Sequence, residues 1–181
     1  MIVTTREDNS TMKKLLTLFG AITLLGTSTT SLVACNKPQY SEDELQQLKQ
    51  ENQINTTNQE IKDNLEWIAP QETPFNENDN KWYYVVWRGD ENDNWRIVNF
   101  KHSDLQLKIL DNYNEYELVL NKNIMGCLFI LLKTFMGSSN KHFWNNNNNN
   151  TWKLFKVYRW NLDIQEPNLI IDNEGNIKVN V

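Results

Sequence analysis

Both alternating sets of residues 81–88, KWYYVVWR, are apolar, with Trp82, Tyr84 and Val86 on one side and Tyr83, Val85 and Trp87 on the other. A strand of this kind needs cover on both faces. The polar stretch GDENDN leads into WRIVNF, so residues 81–100 read as an antiparallel hairpin. YELVLN, residues 116–121, reads as a third strand. In TWKLFKVYRWNL the expected strand face carries Trp152, Leu154, Tyr158 and Trp160, and NLIIDNEGNIKVNV reads as a terminal hairpin turning at residues 172–176. Ser103 stands where it caps a short helix over residues 104–112, with Leu105 and Ile109 facing inward. The apolar run IMGCLFILLKTFM, residues 124–136, is too short to cross a membrane and reads as a core element. The pattern fits either a helix or a strand, with the length slightly favouring a helix.

Upstream, residues 41–65 read SEDELQQLKQENQINTTNQEIKDNL. Ser41 and Glu44 form a capping box, and Glu42, Asp43 and Glu44 place negative charge in the first turn, where the helix dipole favours it. Leu45 and Leu48 share a face, as do Ile61 and Leu65, but the middle is Asn, Gln and Thr without a stripe. That pattern predicts a polar helical stalk, broken near residues 55–57, rather than a coiled coil. The expected fold class is α+β: a small antiparallel sheet with one or two short helices, preceded by a signal peptide and an N-terminal helical stalk.

The front of the chain carries the most specific motif. From Met12 it reads MKKLLTLFGAITLLGTSTTSLVAC, with Lys13 and Lys14 as a basic start, residues 15–25 as an apolar segment, and small or hydroxyl residues leading to Cys35. This is the layout of an export signal. Leu32, Val33 and Ala34 before Cys35 fit a bacterial lipobox: the thiol takes a diacylglycerol, small side chains admit the peptidase, and cleavage after Ala34 leaves Cys35 at the new N-terminus. Two acyl chains give stable anchoring, at about 0.8 kcal/mol per buried CH₂. The acidic pair Glu7 and Asp8 ahead of Lys13 is foreign to a signal peptide, so translation is expected to start at Met12. The expected organisation is a lipoprotein signal peptide over 1–34, a polar stalk over 35–66 and an α+β ectodomain over 67–181.

Composition narrows the function. Asn is heavily used, including a run over 145–150, and hydrophobic residues make up 39%, below the usual globular share, yet seven Trp supply material for a packed core. The net charge of −5 and the absence of a basic stripe exclude a nucleic-acid footprint. Removing residues 1–34 takes away Arg6, Lys13 and Lys14 against Glu7 and Asp8, so the mature chain is one charge more acidic still.

The strings MKKLL and GTSTTSLVACNK resemble the leader of the spiralin-type surface lipoproteins of spiroplasmas, and KWYYVVWRGD, LLKTFMGSSNKH and YRWNLDIQEPNLIIDNEGNIKVN are similar to the bodies of lipoproteins of the same wall-less mollicutes. The resemblance implies export, a diacylglycerol and palmitate on Cys35, and a place on the extracellular face of a single cell membrane. It brings no activity with it.

Other candidate chemistry is thin. Cys127 lies in IMGCLF without a basic segment before it, and reads as a buried thiol. Arg88, Gly89 and Asp90 match a minimal adhesion tripeptide, but Gly-Asp is also ordinary turn chemistry. Residues 172–176, DNEGN, lack the ligand spacing and the bidentate Glu of a calcium loop, and read as a turn. No phosphate loop, HExxH, GxSxG or His-Cys arrangement is present, so no catalytic, metal or cofactor-binding residue is assigned. The Trp residues either fill the core or present a sheet surface to a protein or glycan, and the core is the favoured reading. The expected function is a surface lipoprotein with a non-enzymatic binding or coat role, its membrane contact made through the lipid on Cys35; the alternative is a small exported hydrolase.

Overall fold

β2 (Trp82–Trp87) is the spine of the first sheet, and its double apolar alternation is answered by cover on both sides. The computed structural model describes residues 40–122, 128–134, 140–144 and 153–180; the expected signal peptide, Cys35 and Cys127 lie outside them. The described chain is mostly small antiparallel sheets with few short helices.

In the first sheet, β2 pairs with β3 (Arg96–Lys101) on one side and with β8 (Phe155–Trp160) on the other, and β8 also pairs with β1 (Leu65–Ile68), giving the order β1-β8-β2-β3. The second sheet is a meander of β4 (Lys108–Tyr113), β5 (Tyr116–Lys122), β6 (Leu128–Thr134) and β7 (Asn140–Trp144). β9 (Leu169–Ile171) and β10 (Ile177–Val179) make a separate hairpin. The expected single sheet is thus three.

The two four-stranded sheets share one core. Tyr83, Val85, Trp87, Phe100, Phe155 and Val157 from the first meet Tyr116, Leu118, Leu120, Ile130, Leu132 and Trp144 from the second. Phe75, on a 3₁₀ turn (Pro74–Asn76), plugs this sandwich with its ring 5.0 Å from Tyr83 and 5.7 Å from Trp144. Each such fully buried side chain contributes about 1.5–3 kcal/mol of burial. Asp111 on β4 ties the sheets together: it accepts from Trp87 Nε1 at 3.1 Å and from both Arg96 Nε (2.9 Å) and an Arg96 terminal nitrogen (3.1 Å).

Local expectations gave way where strand pairing offered more. Residues 104–112 do not form a helix; Lys108–Tyr113 is β4, and Ile109 is 56% exposed rather than inward. Pairing with β5 outweighs the local helix signal, and the register shift after Ile109 lets Leu110 reach the shared core. Within residues 124–136, Leu128–Thr134 is strand β6, because it lies between β5 and β7 and needs apolar residues on both faces. The face expected along 152–160 also divides. The strand starts at Phe155, Leu154 joins Phe155 and Val157 in the sandwich, Tyr158 and Trp160 point the other way, and Trp152 lies outside the described residues.

The stretch expected to stand off as a stalk is packed instead. α1 (Glu42–Glu51) begins at the expected capping box, with Ser41 N donating to Glu44 Oε2 at 2.8 Å and Glu44 N to Ser41 Oγ at 3.3 Å. α2 (Gln59–Asn64) restarts after the expected break, capped by Asn58, and runs directly into β1. Ile54, Ile61 and Leu65 are buried with Trp67, Tyr84, Val86, Tyr158 and Trp160 on the outer face of the first sheet, and Leu45 and Leu48 lean on the same cluster. The boundary expected at Trp67 therefore falls inside β1. Sparse apolar residues at Leu45, Leu48, Ile54 and Ile61 suffice, because the sheet supplies the large rings.

Candidate binding groove

The residues singled out in the sequence are mostly spent on structure. Arg88 donates to the Glu91 carbonyl at 2.6 Å and to the Lys153 carbonyl at 3.3 Å, and its guanidinium lies 4.5 Å from the Trp95 ring centre. Gly89 is buried, and a side chain there runs into the Tyr116 ring; Asp90 is exposed and accepts from the Asn92 amide. The tripeptide is a turn held from within. Trp67, Trp87, Trp144 and Trp160 are buried, and Trp82 and Trp95 are partly buried against the outer cluster. Among the described residues, no three His, Cys, Asp or Glu side chains come together as a metal site, and no helix is long and apolar enough to cross a membrane.

In DNEGN, Asp172 accepts from the amides of Glu174 (3.0 Å) and Asn176 (2.8 Å) and pairs with Lys178 at 3.1 Å. The Asn176 amide above all, with Lys178 and the Glu174 amide, pulls the Asp172 carboxyl down to about 2. Gly175 takes φ +72° and lies flat on Trp95, where an added Cβ would come within 2.5 Å of the ring. The far side of this turn is braced by Lys156, which donates to the Gly175 carbonyl at 3.0 Å and to Asn176 Oδ1 at 3.1 Å, with its ammonium 5.5 Å from the Trp95 ring centre. Burial pushes the Lys156 pKa down, only partly offset by Asp172. Arg88, Trp95 and Lys156 thus fasten the terminal hairpin to the first sheet.

Between this hairpin and the chain after α1 runs a groove of about 720 Å³. Residues 51–57 form one wall, Asp172 and residues 176–179 the other, and Lys156 and Tyr158 of β8 the floor. Tyr158 is only 4% exposed, and among the described residues its hydroxyl has no hydrogen-bond partner. Tyr84, by contrast, gives its hydroxyl to the Pro167 carbonyl at 2.6 Å. Burial raises the pKa of Tyr158, so at neutral pH it presents a protonated phenol, able to donate one hydrogen bond and accept others. A size in the usual range for ligand sites, a buried phenol in the floor and one wall rich in Asn, Gln and Thr suit binding of a polar, uncharged group.

A smaller hollow of about 350 Å³ is bounded by Lys49, Glu66 and Asn161. Lys49 and Glu66 are consumed in pairs: Lys49 bridges Glu66 (2.6 Å) and Glu72 (2.7 Å), and Arg159 reaches Glu66 at 2.8 Å. Burial opposes the Glu66 charge, but its pairing with Lys49 still leaves Glu66 below its ordinary pKa.

The sequence reading did not single out Lys156 or the free hydroxyl of Tyr158. The available signal was Lys156 standing between Phe155 and Val157 in an otherwise apolar strand, a charge that had to find partners on the opposite face. Comparison with known protein families, with curated proteins and with solved structures finds no match to the chain.

Proposed function

We propose that the chain is a bacterial surface lipoprotein, anchored through a diacylglycerol on Cys35 to the extracellular face of the cell membrane, with an α+β ectodomain that binds a partner without catalysis. The observation that carries this reading is the order Lys13-Lys14, apolar 15–25, Leu32-Val33-Ala34-Cys35, which supplies every element that lipid transfer and cleavage require. The described fold begins at Tyr40, whose amide donates to Gln71 Oε1 at 2.8 Å while Gln71 Nε2 donates back to its carbonyl at 3.1 Å. At roughly 3.5 Å per extended residue, the five steps from Cys35 to Tyr40 span at most about 18 Å. The ectodomain is therefore held close to the bilayer, and its acidic charge keeps it from lying down on anionic lipid.

Binding is favoured over hydrolysis because Lys156, Asp172 and Lys178 in the groove are already committed to the hairpin, which leaves a phenol, backbone groups and the Asn55 and Thr57 side chains for a ligand. Detergent phase partitioning tests the anchor. Wild type should enter the detergent phase and incorporate supplied palmitate, whereas Cys35→Ser should remain aqueous and unlabelled. Retention of Cys35→Ser in the detergent phase would overturn lipid anchoring.

A further inference from the structure

The 720 Å³ groove is lined on one side by β10 and on the other by residues 51–57. In the terminal hairpin, Asp172 N donates to the Asn176 carbonyl and Asn180 N to the Asn168 carbonyl, each at 3.0 Å, with Lys178 opposite Ile170 between them. Antiparallel ladders alternate, so Asn176, Lys178 and Asn180 turn their peptide groups toward β9, and Ile177 and Val179 turn theirs away from it. Both Ile177 and Val179 line the groove, and among the described residues their outward amides and carbonyls have no partner. Across the groove, residues 54–57 carry no backbone-to-backbone hydrogen bond of their own among the described residues. Between the two walls lies Tyr158, 4% exposed with its hydroxyl unpaired.

We propose that this groove captures an extended peptide segment of a protein partner, about four residues long, which adds as a strand to the outer edge of β10 beneath residues 54–57, with Tyr158 hydrogen-bonding one of its peptide groups. The ligand must carry donors and acceptors recurring at two strand rises, about 6.8 Å, to meet Ile177 and Val179 together, which a peptide does. A glycan fits less well. The ring that a sugar would stack on, Trp95, is already occupied by Arg88, Lys156 and the backbone of Gly175. The Lys156 ammonium is turned onto the hairpin turn and Lys178 is paired with Asp172, which favours a segment without net charge. This inference rests on the binding role proposed above and names its partner; it does not depend on the lipid.

The test pans a random dodecapeptide library on the mature protein in detergent and measures the enriched peptides by fluorescence anisotropy and hydrogen exchange. Bound peptide should slow exchange at the Ile177 and Val179 amides at least tenfold. Val179→Pro removes an outward donor that β9 does not use, a change that edge strands tolerate. It should weaken binding at least tenfold, and Tyr158→Phe should weaken it several-fold with an unchanged melting temperature. If Val179→Pro fails to fold, Tyr158→Phe and the wild-type protection pattern decide. Cys35→Ser should bind the same peptides as wild type, so loss of the anchor and loss of the groove are read separately. Failure to enrich any peptide, enrichment indifferent to both groove variants, binding confined to an oligosaccharide array, or self-association through β10 in place of peptide binding would each overturn the proposal.

Discussion

On one face of the sheet β1-β8-β2-β3, Tyr83, Val85, Trp87 and Val157 meet a second four-stranded sheet; on the other, Tyr84, Val86, Tyr158 and Trp160 meet two short helices and a hairpin with three-residue strands. The residues on the sheet itself are equally bulky on both sides. What differs is the cover. The sandwich side is closed by strands that each pair with a neighbour along their length, and it is fastened by the Asp111 bridge to Trp87 and Arg96. The outer side is closed by short pieces that bury Ile54, Ile61, Leu169 and Ile177 on the rings of the sheet and are pinned through Arg88, Trp95 and Lys156 and through ion pairs such as Lys49 with Glu66. Partly exposed pairs of that kind contribute only about 0–1 kcal/mol each. The sandwich therefore carries the larger share of the buried core, while the outer layer leaves a groove and an unpaired strand edge.

The sharpest way to break this contrast is Trp87→Ala. Trp87 is fully buried in the sandwich and also donates to Asp111, so its truncation opens a cavity and removes a donor from the bridge between the sheets. The expected loss is about 3–5 kcal/mol, measured as a fall in the urea midpoint with all probes moving together. A loss under about 1 kcal/mol would place the stabilising core elsewhere.

Gly175→Ala should do less, and do it locally. The substitution puts a side chain at φ +72° and drives it into Trp95, at an expected cost of about 2 kcal/mol borne by the hairpin. Hydrogen exchange should accelerate at Leu169–Ile171 and Ile177–Val179, with β2 and β5 amides unchanged in protection relative to the global limit. Equal acceleration in β5 would show that the two faces unfold as one.

Sequence patterning made the first sheet legible and hid most of its surroundings, and the division has a physical cause. KWYYVVWR declares two-sided burial by itself, and Ser41 with Glu44 declares a helix start within four residues, because each signal is local. The N-terminal helices read as a stalk because the middle of the segment is Asn, Gln and Thr without a stripe; the burial of Ile54 and Ile61 depends on Trp67 and Tyr158, the latter about a hundred residues away in the chain. For β4, Ser103 and an apolar pair at helical spacing pointed to a helix, and only the pairing of Lys108–Tyr113 with Tyr116–Lys122 decides otherwise. The groove was invisible for the same reason. Its floor is β8, its walls are residues 51–57 and 176–179, and it exists only once the sheet order inserts β8 between β1 and β2.

Protons offer the mildest separation of the two faces. His102 is fully buried beside the Phe75, Tyr83 and Phe100 rings, and burial, opposed in part by Asp79, holds its pKa below the ordinary value. The unfolded chain then takes up this proton first, so the contribution of neutral His102 is present at neutral pH and is lost as pH falls below about 6.5. Asp172 behaves in the other sense. Held as a carboxylate down to about 2 by the Asn176 amide and its neighbours, it stabilises the hairpin above about pH 4 and stops doing so as pH falls from there toward 2. Acid should therefore act in two steps: a global fall in the urea midpoint between pH 7 and 5, then faster exchange in the outer layer as pH falls below about 4, at the terminal hairpin through Asp172 and at α1 through Glu66. Asp172→Asn should remove the hairpin part of the second step and leave the first. If hairpin and sandwich probes instead respond together over a single pH range, the two covers of the sheet do not differ in the way their construction implies.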